Sequence, residues 1–306
     1  MTVPAQYSEG RPASATGPPM PGLPAGQRCL LMGVVNVTPD SFSDGGSWLD
    51  PDKAIAHSLE LVSQGADIVD VGGESTRPGA QRVPMAEELS RVLPVVSALA
   101  SAGSFVSVDT MRAEVASRAL EAGARMVNDV SGGLADPDMP SVVAAADVPY
   151  IVVHWRGHSA DMYGPAVYTD VVADVRGELG RRLEALTAAG VSPANVILDP
   201  GLGFAKLPEH NWKLLAGLDR VACQPGYAEP FPVLVAASRK GFLGKLLADP
   251  DGRPRPFTRS DDATVALTAL AVAAGAWCVR VHAVPGNMDA VRVATRWRQE
   301  TMAGAR

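Results

Sequence analysis

The chain has 306 residues, 47% of them hydrophobic and 20% charged, which is enough apolar material for a full core and too much for a disordered chain. Its formal net charge of −6 and pI near 5.4 argue against general nucleic-acid binding, which relies on a basic surface to displace counterions. No stretch reaches the ~18 uninterrupted apolar residues of a membrane span and no basic-then-apolar leader opens the chain. A cytoplasmic protein is expected, its three cysteines, Cys29, Cys223 and Cys278, reading as reduced thiols without paired or metal-ligand spacing.

Residues 1–27 are rich in Pro, Ala, Gly and Ser and predict a flexible tail. The first strand is expected over 29–37, apolar on both faces as in a buried parallel sheet; it ends at Asn36 and a long polar loop through Asp44 to Gly46. Asp50-Pro51 predicts a helix start, with Ile55, Leu59 and Val62 at helical spacing and Gly65 as its stop. The second strand, 68–73, leads into Glu74 to Gly79 and a helix carrying Leu89, Leu93, Val96 and Leu99. Strand three, 105–110, precedes a helix from near 112 to 121; strand four, 126–130, is followed by Ser131-Gly132-Gly133 and a short helix over 139–146. Strand five, 150–155, ends at His154 and Trp155, and its helix carries Val171, Val175, Leu179, Leu183 and Leu186.

Val196, Ile197 and Leu198 favour a sixth strand, which delivers Asp199 to a bend, Pro200-Gly201-Leu202-Gly203-Phe204, where glycines let a ligand lie against the main chain. A helix over 211–218, a Pro- and Gly-containing insertion, strand seven over 233–238 and Arg239-Lys240-Gly241 come next. A Pro- and Arg-rich loop then leads to an alanine-rich helix over 262–274, strand eight over 278–282 and a last helix with Met288, Val291 and Trp297. Eight strand-helix units in about 270 residues fit a single α/β domain, a (β/α)8 TIM barrel over 28–302, better than a doubly wound sheet.

A barrel collects functional side chains at the C-terminal ends of its strands. Asn36, Asp70, Asp109, Asn128, His154, Asp199, Lys240, Arg280 and His282 all fall there. Any one of these is commonly a satisfied strand-end polar group, but nine on one rim point to a site. Asp109, Asn128 and Asp199 offer planar acceptors suited to a flat heterocycle with ring N–H and amino groups. Lys240, Arg280 and His282, on the last two strands, suit an anion such as phosphate. No cluster suggests zinc, whereas Asn36 and Asp44 offer oxygens to a Mg²⁺ ion held mainly by a diphosphate.

Several segments resemble the bacterial dihydropteroate synthase family. They are Asn-Val-Thr-Pro-Asp-Ser-Phe-Ser-Asp-Gly-Gly at 36–46, Gly-Glu-Ser-Thr-Arg-Pro-Gly at 73–79, Asn-Asp-Val-Ser-Gly-Gly at 128–133, Asp-Pro-Gly-Leu-Gly-Phe at 199–204, Ser-Arg-Lys at 238–240 and Arg-Val-His at 280–282. They recur in family order from residue 29 to about 300. The resemblance implies a transferase of folate biosynthesis, a sulfonamide target, that joins (7,8-dihydropterin-6-yl)methyl diphosphate to 4-aminobenzoate and releases diphosphate. It further implies small-molecule substrates, Mg²⁺ as cofactor and a homodimer built on outer helices.

Residue by residue, the resemblance sets Asp109, Asn128, Asp199, Lys240 and Arg280 around the pterin. Thr76, Arg77, Arg280 and His282 would face the diphosphate, and Asn36 would hold Mg²⁺. Phe42, Pro78, Phe204 and Ser238 would form the aminobenzoate pocket, and Asp109, Arg77, Lys240 and Asp44 would be the catalytic set. The family carries an acid after the last His, and Ala283 stands there instead. Two rival readings share the barrel: a methyltetrahydrofolate methyltransferase, which has no use for the Thr76-Arg77 and Ser238-Arg239-Lys240 anion sites, and a catalytically silent pterin-binding paralogue.

Overall fold

The computed structural model describes residues 20, 22–24, 28–38, 50–75, 82–157, 164 and 166–304. Strands β1 (Leu30–Asn36), β2 (Ile68–Gly72), β3 (Val106–Asp109), β4 (Met126–Asp129), β5 (Tyr150–Val153), β6 (Val196–Asp199), β7 (Leu234–Val235) and β8 (Cys278–Val281) form one parallel sheet in the order β6-β5-β4-β3-β2-β1-β8-β7. A bridge between Leu198 and Val233 joins its two ends, so the sheet closes into the expected barrel. The helices around it are α1 (Pro51–Ser63), α2 (Met85–Ser101), α3 (Ala113–Glu121), α4 (Met139–Ala146), α5 (Val171–Ala188), α6 (Pro208–Ala216), α7 (Leu218–Ala222), α8 (Gly241–Leu246), α9 (Asp261–Ala273) and α10 (Val284–Gly304).

Alternation along each strand sorts its side chains into two shells. Leu31, Val35, Val69, Val71, Val106, Val108, Val127, Val152, Leu198 and Val279 join the layer packed against the helices. Their neighbours Leu30, Met32, Ile68, Met126, Ile151, Ile197, Leu234 and Cys278 fill the barrel interior. The inward positions change chemistry toward the strand C-termini: Ile68 gives way to Asp70, Met126 to Asn128, Ile197 to Asp199 and Cys278 to Arg280. Met20 and Leu23, which fall inside the expected 1–27 tail, are partly buried against the inner cluster. The rest of 1–27 other than Gly22 and Pro24 lies outside the described residues.

Local departures from the sequence reading have physical causes. In α1 the fully buried apolar positions are Ala54 and Leu61, and in α2 they are Val92, Val95, Val96 and Leu99. Leu59 is 40% exposed, and Leu89 and Leu93 are half-buried. In α2 the inner face also takes the polar Glu88 and Arg91, which bond to Thr110 Oγ1 and the Gly73 carbonyl, so leucine spacing alone misplaces the stripe. Strand seven is shorter than expected, and its end, 236–240, turns through a left-handed Arg239 with φ of 58°.

Candidate active site

Four neighbouring strands put Asn36, Gly72, Asp109 and Asn128 in one register row, with Asn36 opposite Gly72, Gly72 opposite Asp109 and Asp109 opposite Asn128. Gly72 leaves a gap in that row. A methyl group there would stand 3.6 Å from both Asn36 Oδ1 and Asp109 Oδ2. Asp199 ends β6 opposite Val153, and its Oδ1 accepts the Gly201 N–H at 2.7 Å.

Arg280 reaches across the barrel from β8. Its Nε donates to Asp70 Oδ2 at 2.6 Å and its Nη2 to Asp109 Oδ2 at 2.7 Å, while Asn128 Nδ2 donates to the same Asp70 oxygen at 2.9 Å. Two carboxylates thus share one guanidinium, and the cluster keeps excess negative charge. Burial pushes Asp109 up to about 7, with Arg280 opposing and the Asp70 carboxylate adding to the shift. Burial works against the Arg280 charge as well, but Asp70 and Asp109 outweigh it and its pKa lies above the ordinary value. Asp70 Oδ1, Asn128 Oδ1 and Ser107 Oγ are buried with no hydrogen-bond partner among the described residues.

Burial likewise raises Asp199 to about 6, against the Gly201 N–H and the charges of Lys240 and Lys206, and lowers Lys240 to about 8, with Asp199 opposing. The Lys240 ammonium sits over the Phe204 ring, 4.0 Å from its centre, where the negative face of the ring attracts the cation. The turn that aims Ser238 and Lys240 runs through the left-handed Arg239, a costly conformation for a residue with a β-carbon. Two bonds of 3.0 Å from Arg239 to the Asp261 carboxylate hold it there. On the other side, Ser238 Oγ lies 3.0 Å from His282 Nδ1 and accepts the His282 backbone N–H at 3.3 Å. In the tautomer in which the hydroxyl donates to Nδ1, Nε2 carries the ring N–H, a donor suited to an anion.

These groups surround a cleft of about 540 Å³ lined by Asn36, Thr38, Ser75, Gly203, Phe204, Lys206, Ser238, Arg239, Lys240, Phe257, Arg280 and His282, among others. Asp109 bonds directly to the lining residue Arg280 and Asn128 reaches it through Asp70, while Asp199 is charge-coupled to Lys240 and Lys206, both in the lining. Of the expected site residues, Asn36, Phe204, Ser238, Lys240, Arg280 and His282 line the cleft, while Asp109, Asn128 and Asp199 are linked to its lining residues without lining it themselves. Phe42, Asp44, Thr76, Arg77 and Pro78 lie outside the described residues.

The family model described as pterin binding enzyme matches residues 32–282. The chain belongs to the pterin-binding enzyme family. This pterin-binding enzyme is 52% identical over 268 residues to the dihydropteroate synthase of Mycobacterium leprae, an alignment that covers 87% of this chain and 93% of the relative. It is also similar to the Burkholderia cenocepacia dihydropteroate synthase solved with 7,8-dihydropteroate, with TM-score 0.80 and 37% identity over 90% of this chain and 94% of that one. The Yersinia pestis dihydropteroate synthase solved with a sulfonamide drug superposes with TM-score 0.82 and 37% identity, covering 89% of this chain and 95% of the other.

Two expectations about this pterin-binding enzyme need revision in detail. His154 does not line the cleft: its Nε2 bonds to Glu178 at 2.9 Å and its Nδ1 to Lys206 at 3.0 Å. Asp70 sits one inward position below the rim, and its part is to hold Arg280 and Asn128. Arg239, counted with Ser238 and Lys240 as an anion site, stands in the cleft wall, and so does Lys206, which was not singled out as a ligand contact. The signal for Lys206 was proximity: it stands two residues beyond the 199–204 motif.

Proposed function

We propose that the chain is a dihydropteroate synthase that joins (7,8-dihydropterin-6-yl)methyl diphosphate to 4-aminobenzoate, forming the C–N bond of 7,8-dihydropteroate and releasing diphosphate. The observation that carries this reading is the buried row of Asp109 and Asn128 beside the buried Asp199, with the Asn128 amide oxygen unpartnered among the described residues, next to Lys240, Arg280 and His282. Asp199 and Asn128 suit the amino and ring N–H groups of the pterin, and Lys240 suits its carbonyl side. Asp109, held by Arg280, provides negative charge near the ring when the bond to the diphosphate oxygen breaks. The electron pair leaves with the diphosphate and positive charge spreads into the pterin, which a preorganised carboxylate favours. The aminobenzoate nitrogen then attacks the methylene carbon and sheds a proton.

Arg280 and the Nε2–H of His282 face the leaving group in this reading, with Thr76 and Arg77. Phe204 and Ser238, with Phe42 and Pro78, form the aminobenzoate pocket, and Asp44 acts from the first loop. Asn36 fits Mg²⁺ as a single hard oxygen donor on the cleft wall, beside the gap at Gly72. The ion, bound mainly by diphosphate oxygens, would supply neutralisation of leaving-group charge. No described helix is long and apolar enough to cross a membrane, and the three free thiols support a cytoplasmic setting. The exposed Leu270 at 69%, Val293 at 68% and Trp297 at 73%, on the packed pair α9 and α10, support a homodimer through these helices.

A coupling assay with the pterin diphosphate, 4-aminobenzoate and Mg²⁺ tests the reading. Dihydropteroate and diphosphate should form in equal amounts. Binding of the pterin diphosphate with no product at any aminobenzoate concentration would favour the silent paralogue instead.

A further inference from the structure

The loop that follows β6 carries Phe204 and is wound through three left-handed residues in six. Gly201 has φ of 68°, Gly203 of 81° and the non-glycine Ala205 of 48°. A β-carbon on Gly201 would stand 2.1 Å from the His154 carbonyl oxygen, so the loop lies directly on the end of β5. Such a backbone persists only where its surroundings over-determine it. The Gly203 N–H bonds to Asn211 Oδ1 at 2.7 Å, and the Ala205 carbonyl accepts the Tyr168 hydroxyl at 3.0 Å. The Phe204 carbonyl between them accepts from Lys206 Nζ at 3.0 Å.

Lys206 is an unusual anchor. Its side chain is 2% exposed, and its Nζ also donates to His154 Nδ1 at 3.0 Å. Burial, with the Lys206 charge adding, lowers His154 to about 4, so the ring is neutral, its Nε2–H donates to Glu178 and its Nδ1 lone pair is free to accept. Glu178 is itself held ionised, its pKa near 2, by His154 and Arg156 against the cost of burial. The donors and acceptors therefore run in one direction, from Lys206 through His154 to Glu178 on α5. Burial lowers Lys206 to about 7, with Asp199 opposing and Arg156 and Lys240 adding to the effect. A neutral amine still has two N–H groups, enough for both acceptors, so titration does not release the loop.

We propose that Lys206 is a positioning residue for the second substrate: anchored by His154 and Glu178, it fixes the Phe204 main chain and so sets the Phe204 ring against Lys240 in the cleft wall. The placement of Phe204 in the aminobenzoate pocket rests on the function proposed above; the anchoring itself does not. In this role Lys206 acts through the Phe204 main chain; its side chain also lines the cleft and its charge acts on Asp199, which the test below separates by pH.

The test uses the full-length protein at pH 8, where Lys206 is mostly neutral and Asp199 ionised, so Lys206→Met removes N–H donors rather than a charge opposite Asp199. In lysine-labelled protein the Lys240 side-chain protons should be displaced by the ring current of Phe204, and Lys206→Met should diminish that displacement, as Phe204→Leu must. In the coupling assay Lys206→Met should raise KM for aminobenzoate about tenfold, equivalent to ~1.4 kcal/mol, with the affinity for a pterin analogue unchanged. The Lys206→Met and Phe204→Leu effects on KM should not add, since both act through one ring. Should Lys206→Met not fold, His154→Asn leaves the amine but removes its anchor, and carries the same readouts at smaller amplitude. An unchanged Lys240 displacement in a folded variant, or additive effects on KM, would overturn the proposal. A wild type with the displacement present but no coupling activity would overturn the proposed function and leave the anchoring supported.

Discussion

The lower and upper halves of the barrel interior are equally hidden from solvent and opposite in chemistry. Ile68 and Asp70, two positions apart on β2, are each 0% exposed, and Met126 and Asn128 on β4 are 0% and 3% exposed. Below, Leu30, Met32, Ile151, Ile197 and Leu234 pack in one apolar cluster, and their burial stabilises the fold. Above, Asp70 Oδ1, Ser107 Oγ and Asn128 Oδ1 lack partners among the described residues, and burial holds Asp109 and Asp199 near neutral pKa values. Burial there opposes folding and is offset only in part by Arg280. The difference teaches that one end of the barrel supplies stability, while the other retains polar groups whose missing hydrogen bonds a ligand can complete.

The comparison breaks most sharply through the lower half. Ile151→Ala, at a fully buried inward position, should cost about 2–5 kcal/mol of stability, read as a lower urea midpoint, with pterin affinity in the folded fraction nearly unchanged. In the upper half the pattern should reverse. Asp199→Asn should lose on the order of 1.5–3 kcal/mol of pterin affinity through a lost charge-assisted bond, with no loss of stability in the free protein. Calorimetry with a pterin analogue and denaturant titration measure the two; unchanged affinity would remove Asp199 from the site.

A smaller effect sharpens the same contrast. Because Asp199 has a folded pKa near 6 and an unfolded value near ~3.9, the unfolded chain ionises first, and this residue's contribution to stability falls as pH rises from about 4 to about 6. Asp199→Asn should therefore gain on the wild type across that window and hold a constant advantage above it, whereas Ile151→Ala should trail by the same amount at every pH. Smallest of all should be Mg²⁺ binding to the ligand-free protein. Asn36 is one oxygen donor, and no group of three or more His, Cys, Asp or Glu among the described residues is placed to hold a metal. Calorimetry should show weak binding that strengthens strongly once diphosphate is present; tight binding without it would contradict this account of Asn36.

The barrel was legible because its strands are short apolar runs that end in polar residues and alternate with helical segments. The pairing of Asp109 with Asn128 was readable as two strand-end residues. What the sequence hid was the partnership across the barrel. Nothing local says that Arg280, 210 positions from Asp70, will bind it, or that the carboxylates will share one guanidinium. His154 shows the opposite error: its strand-end position matched the rim, but the glycine loop of β6 folds over it and turns it toward Glu178. The helix stripes of α1 and α2 were displaced because buried polar residues, Ser58 and Glu88 among them, take inward positions that apolar spacing assigns elsewhere.

The claim that the upper half is held short of its hydrogen bonds until the pterin arrives is tested most directly by counting protons. Binding of 6-hydroxymethyl-7,8-dihydropterin at pH 5.5, measured by calorimetry in two buffers of different ionisation enthalpy, should release protons, because N–H donors from the ligand favour the ionised forms of Asp199 and Asp109. The release should shrink toward zero by pH 8 and be reduced in Asp199→Asn. Binding with no proton release at pH 5.5, or with the same release in the wild type and Asp199→Asn, would contradict the account.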